Sequence, residues 1–441
     1  MTTNNKVENG TFSSQMGFIL ACVGSAVGMA NIWMFPYRLG QYGGAAFLIP
    51  YFIFLALFGY VGLSGEFAMG RLTGTGTVGS YEAAMKSKGI NGGQFLGSIP
   101  LIGSLGIAIG YSVIVGWIIK YAAGAVTGSW MKVEDTATYF SSMTGPFGNV
   151  FWHSMVLVIA LIVLLVGTKG IEKATKVMMP TFFIFFIIIL IRVAFLDGAM
   201  EGYKYLLVPD WSYLANPMTW VMAMGQAFFS LSITGSGMII YGSYMNKNED
   251  IIESSLLTTV FDTTAALVAA FAIIPAVFAF NLDVAAGPPL IFITLPKVFQ
   301  TLPGGQIFAI FFFISVVFAG ISSLINMLEV VIESAQLKLK LNRKFATFAV
   351  CGLTLFVGLF IEYEPYLGKW MDIITIYVIP FGAVLGAAMI FWFFGKEKIT
   401  EECNIGAKRP VSKWFGILGK YVYVPIAAIV FILGCIYGGI G

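Results

Sequence analysis

Residues 24–31 read Gly-Ser-Ala-Val-Gly-Met-Ala-Asn, in the middle of an apolar stretch that covers residues 14–37. Glycine and asparagine are poor helix formers, so this stretch is unfavourable as a continuous helix. Residues 230–237, Ser-Leu-Ser-Ile-Thr-Gly-Ser-Gly, interrupt a second apolar stretch, 216–242, in the same way. Non-helical backbone is tolerated at membrane depth only where protein or a water-filled cavity satisfies its polar groups. The pattern predicts two broken helices beside an internal polar site.

The composition excludes a water-soluble protein. The chain has 441 residues, of which 58% are hydrophobic and 11% are charged, whereas a soluble domain carries about 25% charged residues. The net charge of +3 is small and the basic residues are scattered, so we expect no nucleic-acid partner. A single histidine, His153, and four widely separated cysteines argue against haem, zinc or quinone chemistry. We expect a lipid bilayer around most of the chain, and no enzyme activity.

A membrane-spanning helix needs roughly 20 mostly apolar residues. Eleven stretches meet this requirement: 14–37, 44–70, 99–125, 150–167, 174–196, 216–242, 255–281, 305–334, 345–362, 371–395 and 418–439. Most of the 25 lysines and arginines fall in loops that share one side if the N-terminus is cytoplasmic. We therefore predict an all-α polytopic protein of the plasma membrane, one transmembrane domain over 1–441, with a cytoplasmic N-terminus and an extracellular C-terminus.

The two interruptions lie five helices apart, so the second has the opposite direction in the membrane. Paired breaks in corresponding positions of two halves are typical of transporters built on inverted repeats. We expect a 5+5 arrangement, with repeats at 14–196 and 216–395 and an extra helix at 418–439. For either break alone, small residues that pack helix against helix are an equally good explanation.

Five motifs, in order along the chain, carry a family resemblance. They are residues 24–36 with Gly43-Gly44-Ala45-Ala46-Phe47 and Pro50-Tyr51, then Glu66-Phe67-Ala68-Met69-Gly70-Arg71, Gly170-x9-Pro180, residues 225–232, and residues 318–323. The sequence resembles the neurotransmitter:sodium symporters, which have the LeuT fold. The resemblance implies sodium-coupled symport of an amino acid by alternating access, with two sodium ions bound. In the family, the Gly-x9-Pro motif is linked to opening of the inner water path.

The resemblance implies two sodium sites built from oxygen ligands. The first would use Ala26, Asn31, Ser230 and Asp262, together with the substrate carboxylate. The second would use the carbonyl groups of Gly24, Val27 and Ala319 and the hydroxyl groups of Ser322 and Ser323. Two alternatives stay open at this point. The two serines could bond only to the preceding turn of their own helix, and Asp262 could face water at the end of its helix.

The substrate would lie between the two breaks. By resemblance, backbone N–H groups of Met29 and Ala30 and the Tyr111 hydroxyl would hold its carboxylate, since helix N-termini favour anions. Carbonyl groups near Ala26, Phe229 and Ser232, with Ser230 close by, would accept hydrogen bonds from its amino group. Ile107, Phe229, Gly235, Ser323 and Met327 would line the side-chain pocket. For Ile107, Phe229 and Met327, ordinary core packing is the alternative.

Departures from the family pattern refine the prediction. Gly28 replaces the aspartate of monoamine carriers, which favours an α-amino acid as substrate. Gly235 replaces a frequent phenylalanine, which favours a bulky hydrophobic or aromatic one. Tyr51, Gln226 and Ser230 match three chloride ligands, but Ala266 replaces the fourth, and Asp262 would supply a fixed negative charge instead. We expect chloride-independent transport.

The family's charged gates are absent from this sequence. Met34 and Asn9 replace the gate arginines, Leu337 replaces one acidic partner, and Asp372 stands near the position of the other. Tyr111 and Phe229 would then close the outer side. A channel or a transporter-like sensor of the same fold remains the alternative to a carrier.

Overall fold

The structure is a computed structural model that describes residues 10–280, 282 and 290–440. Within these residues every regular element is helical, and no strand occurs. The prediction for Asn9 lies outside the described residues.

The first half of the chain contains ten α-helices. They are α1 Gln15–Ala26, α2 Phe35–Gln41, α3 Ala45–Leu57, α4 Ser64–Thr73, α5 Thr77–Lys86, α6 Gly93–Thr127, α7 Thr136–Ser141, α8 Val150–Val166, α9 Thr168–Ala194 and α10 Ala199–Leu207. Two π-helical turns continue them, Ala30–Met34 into α2 and Phe58–Leu63 between α3 and α4. Ser14 begins α1 as its N-cap, because its hydroxyl group accepts a hydrogen bond from the N–H of Gly17.

The second half contains eleven more. They are α11 Pro217–Ser230, α12 Gly237–Ser243, α13 Ile251–Ala279, α14 Leu295–Thr301, α15 Gly305–Leu339, α16 Arg343–Phe360, α17 Glu364–Asp372, α18 Ile379–Ala388, α19 Lys396–Asn404, α20 Lys413–Leu418 and α21 Val424–Tyr437. Short π- or 3₁₀-helical turns join or precede several of them, at Trp211–Ala215, Leu290–Thr294, Ile373–Val378, Met389–Gly395 and Gly419–Tyr423.

Among the described residues, eight helical segments are long and apolar enough to cross a membrane. They are Ala45–Thr73, Gly93–Thr127, Thr168–Ala194, Ile251–Ala279, Gly305–Leu339, Arg343–Phe360, Glu364–Asn404 and Lys413–Tyr437. A ninth is the pair Gln15–Ala26 and Ala30–Gln41, bent by 59° at the first predicted break. The other two predicted spans coincide with the shorter helix α8 and with α11 and α12 on either side of the second break. The structure is compatible with eleven spans, and that count stays a prediction.

The outer faces of several helices are apolar and exposed, as lipid contact requires. On α8, α9 and α16 the exposed side chains include Phe151, Val158, Ile162, Ile184, Ile191 and Phe356. The long helices α6 and α15 pack against each other in the interior, and α1 packs against both α9 and α15. The motif Gly170-x9-Pro180 lies within α9, which is helical throughout, with Pro180 inside it.

Candidate functional site

The first break leaves peptide groups of residues 27–29 outside any helix. Val27 has extended backbone angles that end α1. The N–H of Gly28 donates to Asn31 Oδ1 at 3.1 Å, and the N–H of Met29 donates to the Tyr111 hydroxyl at 3.1 Å. The break is thus held by side chains from its own second half and from α6. Because these N–H groups no longer bond within a helix, they need other partners, and here side chains supply them.

The second break, residues 231–236, is held by a buried carboxylate. The N–H of Gly235 donates to Glu66 Oε1 at 2.8 Å, and Glu66 on α4 is 1% exposed. Ser232 adopts a positive φ of 52°, and its hydroxyl group donates to the carbonyl of Ser25 at 3.2 Å. The second break therefore contacts the last turn of α1, just before the first break. Sequence reasoning placed Glu66 in a family motif without assigning it this contact.

Three side chains of the predicted first sodium site converge at the first break. Asn31 Nδ2 donates to Asp262 Oδ1 at 2.7 Å and lies 3.3 Å from Ser230 Oγ. Ser230 Oγ donates to Asp262 Oδ2 at 2.6 Å. All three side chains are fully buried. The alternative that Asp262 faces water is therefore wrong, because no part of the residue is exposed.

The predicted second sodium site is also brought together. Ser323 Oγ lies 3.3 Å from each of the carbonyl oxygens of Gly24 and Val27 and can donate its one proton to either, across the interface between α15 and α1. Ser322 Oγ donates to the carbonyl of Ala319 at 3.1 Å, within its own helix. The Ser322 hydroxyl therefore bonds within its own helix, as the alternative interpretation expects, whereas the Ser323 hydroxyl contacts the broken helix. Clustered carbonyl and hydroxyl oxygens are ligands that hard cations accept.

One cavity runs beside both breaks. Nine predicted substrate residues border it: Ala26, Met29, Ala30, Ile107, Tyr111, Phe229, Ser232, Ser323 and Met327. Ser230 does not border it and instead bonds to Asp262. Ser323 belongs to both the cavity wall and the second oxygen cluster. A molecule in the cavity would therefore lie in direct contact with that cluster.

Gly235 does not lie where the sequence placed it. It is absent from the cavity wall, and its φ of 72° is a conformation that glycine adopts readily. A Cβ atom at this position would approach the Gly382 carbonyl oxygen to 2.3 Å and the Tyr81 hydroxyl to 2.7 Å. A side chain at this position would point toward α18 and α5 rather than into the cavity. The absence of a phenylalanine here therefore does not itself enlarge the cavity.

Sequence reasoning missed a group of hydroxyls at the cavity wall. Ser104 Oγ lies 2.7 Å from Ser236 Oγ, and Thr234 Oγ1 lies 2.8 Å from the same atom. Ser104, Thr234 and the neighbouring Asn326 all border the cavity. The remaining wall is largely apolar. Ser104 lies one helical turn before Ile107, so the spacing along α6 could have indicated it.

The wall also includes Ile440, which follows α21 and is 3% exposed. A Cβ atom on Gly225 of α11 would approach the Ile440 carbonyl oxygen to 2.0 Å, so only glycine fits there. No sequence pattern indicated this contact.

Among the predicted gate positions, Met34 borders the cavity, Asp372 is exposed, and Leu337 is partly buried beside α5.

Two broken helices around one cavity, in an all-helical fold with many apolar spans, define a membrane transporter. The model of the sodium:neurotransmitter symporter family matches residues 9–144 and 138–438. The chain belongs to this family, whose members are sodium-dependent transporters rather than enzymes.

Relatives in three organisms support this assignment. An uncharacterised sodium-dependent transporter of Bacillus subtilis is 32% identical over 96% of this chain and 97% of that protein. One from Haemophilus influenzae is 34% identical over 78% of this chain and 77% of its own length, and one from Methanocaldococcus jannaschii is 32% identical over 97% and 90%. The crystal structure of MhsT in complex with L-phenylalanine matches with a TM-score of 0.86 and 31% identity, over 97% of this chain and 99% of that chain. The predicted LeuT-type fold is confirmed.

Proposed function

We propose that this protein carries an α-amino acid with a bulky, hydrophobic or aromatic side chain into the cell, coupled to two sodium ions. The observation that carries the proposal is the position of Ser323. Its hydroxyl group contacts Gly24 and Val27, and the same residue borders the cavity. A sodium ion on these oxygens would fix the α1 break, where Met29 and its hydrogen-bond partner Tyr111 both border the cavity. Ion binding would thereby prepare the substrate site.

The substrate class follows from the charges at the break. The cavity wall beside Gly28 carries no acidic side chain, and the Cβ of a larger residue there would approach the Tyr111 hydroxyl to 2.8 Å. A substrate amine without a carboxylate would therefore bring an uncompensated charge. An amino acid brings its own carboxylate to the Met29 N–H and Tyr111. The crystal structure of MhsT with L-phenylalanine supports this class by similarity.

The side-chain preference rests on the cavity wall. Ile107, Phe229 and Met327 offer an apolar surface, while Ser104 and Thr234 offer hydroxyl groups. An aromatic side chain with a polar atom, as in tyrosine or tryptophan, matches both. Glycine and alanine would leave most of this surface without contact.

Chloride independence is part of the proposal. Asp262 places a carboxylate beside Asn31 and Ser230, and Ala266 one turn later has no hydrogen-bond donor in its side chain. An unpaired buried charge costs several kcal/mol. The carboxylate would balance a sodium ion there without a chloride ion.

We place the protein in the plasma membrane with a cytoplasmic N-terminus and an extracellular C-terminus.

The proposal is tested by a screen of thermal stability in detergent. The purified protein is heated with each of the twenty amino acids, in sodium chloride and in choline chloride. We expect tyrosine and tryptophan to raise the melting temperature only with sodium. Tyramine, which lacks the carboxylate, serves as the matched control and should have no effect. Stabilisation by tyramine equal to that by tyrosine would contradict the proposed substrate class.

A further inference from the structure

His153, the only histidine of the chain, is completely buried and does not border the cavity. It lies near the start of α8, where its ring bridges two other parts of the fold. Nε2 lies 2.9 Å from Ser112 Oγ on α6, and Nδ1 lies 3.1 Å from Oε1 of Glu362, which follows α16. A Cβ atom on Gly358 would approach the ring to 2.4 Å, so α16 leaves room for the ring only because this residue is glycine.

One arrangement of protons gives every neighbour of the ring a hydrogen-bond partner. Ser112 Oγ lies 2.8 Å from the carbonyl of Ile109, and when it donates its one proton there it accepts from the ring. We assign the proton of Nε2 on this arrangement. Glu362 Oε2 accepts from the N–H of Asn149 at 3.2 Å, and Oε1 faces Nδ1. A hydrogen bond between Nδ1 and Oε1 requires one further proton between them.

In this arrangement the pair is electrically neutral as a unit, whichever of the two atoms holds the further proton. It is either an imidazolium with a carboxylate or a neutral imidazole with a carboxylic acid. Both members are fully buried, where an uncompensated charge would be costly. The cluster thus joins α6, α8 and the segment after α16 without bringing a net charge into the membrane.

We propose that His153 and Glu362 are positioning residues that fix the distance between two walls of the substrate cavity. One wall is α6, which carries Tyr111 next to Ser112. The other begins two residues after Glu362 with α17, whose Met371 borders the cavity. A second bond joins the same two walls, because Trp370 Nε1 donates to the carbonyl of Gly106 at 2.7 Å. This role goes beyond substrate and ion binding.

The proton accounting predicts which substitution the site accepts. In Glu362→Gln, the amide oxygen can accept from the Asn149 N–H while the amide N–H donates to Nδ1 of a neutral ring. Every bond is kept without the carboxylate. In Glu362→Ala, the Asn149 N–H and one ring nitrogen lose their partner in a buried place. His153→Ala removes the bridge to Ser112.

The experiment measures tyrosine affinity with sodium present, and sodium affinity without tyrosine, in these three variants. Loss of a buried, charge-assisted bond should weaken tyrosine binding about tenfold in Glu362→Ala and His153→Ala. Glu362→Gln should stay near the unmodified protein. Sodium affinity should be retained in all three, because Asn31, Asp262 and Ser323 lie on other helices. Glu364→Gln is the control, because Glu364 is an exposed glutamate two residues after Glu362.

Equal damage from Glu362→Gln and Glu362→Ala would overturn the proposal, because the carboxylate itself would then be needed. Unchanged tyrosine affinity in Glu362→Ala would also overturn it, as would a parallel loss of sodium affinity. If the alanine variants do not fold, a folded Glu362→Gln with normal affinity supports the pair, and an unfolded one contradicts it. The affinity readout depends on the proposed function. If the unmodified protein does not bind tyrosine, the substrate assignment fails, and the melting temperatures of the variants still test the pair.

Discussion

Asn31 donates a hydrogen bond from Nδ2 to Asp262 Oδ1 at 2.7 Å, between residues 231 positions apart in the sequence. The amide oxygen of Asn31 accepts from the Gly28 N–H, so it is turned toward the first break. Because Ser230 bonds to the other carboxylate oxygen, Asp262 joins both broken helices. The carboxylate is thus placed where a bound cation would need a counter-charge.

This relationship predicts equal sodium-driven uptake in chloride and in gluconate. The variant Asp262→Asn with Ala266→Ser removes the fixed charge and adds a hydroxyl at the fourth chloride position that the resemblance implies, with Tyr51, Gln226 and Ser230 as the other three. We expect that variant to need chloride, measured as uptake over a chloride titration. Asp262→Asn alone is the matched control, since it lacks the added hydroxyl. Strong chloride dependence in the unmodified protein would show that Asp262 is not the substitute charge.

The second oxygen cluster predicts a change in sodium affinity. Ser323→Ala removes the hydroxyl group that contacts Gly24 and Val27, and Ser322→Ala removes the one beside Ala319. Each should weaken sodium binding about tenfold, and tyrosine binding should weaken through coupling between the sites. Ser315→Ala, a buried serine of α15 that bonds within its own helix, should leave both affinities unchanged. Normal sodium affinity in Ser323→Ala would remove this residue from the ion site.

The cluster of hydroxyl groups on Ser104, Thr234 and Ser236 predicts discrimination between tyrosine and phenylalanine as substrates. Ser104 and Ser236 share a hydrogen bond at 2.7 Å, and Ser104 borders the cavity. Ser104→Ala should reduce the preference for tyrosine over phenylalanine by about fivefold, because one buried hydrogen bond contributes about 1 kcal/mol. Competition between the two amino acids for uptake measures this ratio. An unchanged ratio would mean that the substrate side chain does not reach these hydroxyls.

Gly235 predicts a loss of stability rather than a change of substrate. Gly235→Ala would place a Cβ atom 2.3 Å from the Gly382 carbonyl oxygen and hold a non-glycine residue at φ 72°. The backbone conformation alone should cost about 1 kcal/mol, and the clash adds to it. We expect a lower melting temperature in detergent. Gly352→Ala, at a helix position where a Cβ atom meets no neighbour within 4 Å, is the control. A normal melting temperature together with a shift toward smaller substrates would restore the sequence-based interpretation.

Several features were predictable because they depend on local chemistry. The glycines at 24 and 28 and at 235 and 237 mark both breaks, and the apolar stretches correspond to helices. The family resemblance also grouped Asp262, Asn31 and Ser230, and these side chains lie together in the structure. In these cases the sequence specifies the backbone or a short set of matching residues.

Other features depend on which way a residue points and on distant packing. Gly235 was expected to line the cavity, but it does not border the cavity, and its backbone has a positive φ. The contact between Ile440 and Gly225 and the pairing of His153 with Glu362 join residues that are far apart in the sequence. Periodicity and motif spacing carry no information about such contacts, so only the fold reveals them.

The most direct test of the account is tyrosine uptake into proteoliposomes that contain the purified protein. An inward sodium gradient should drive accumulation, and replacement of sodium by potassium or choline should abolish it. Counterflow of labelled tyrosine against an internal pool should occur in the same vesicles, which a sensor that binds without transport would not show. Uptake that continues undiminished in choline, or binding without counterflow, would contradict sodium-coupled amino acid transport.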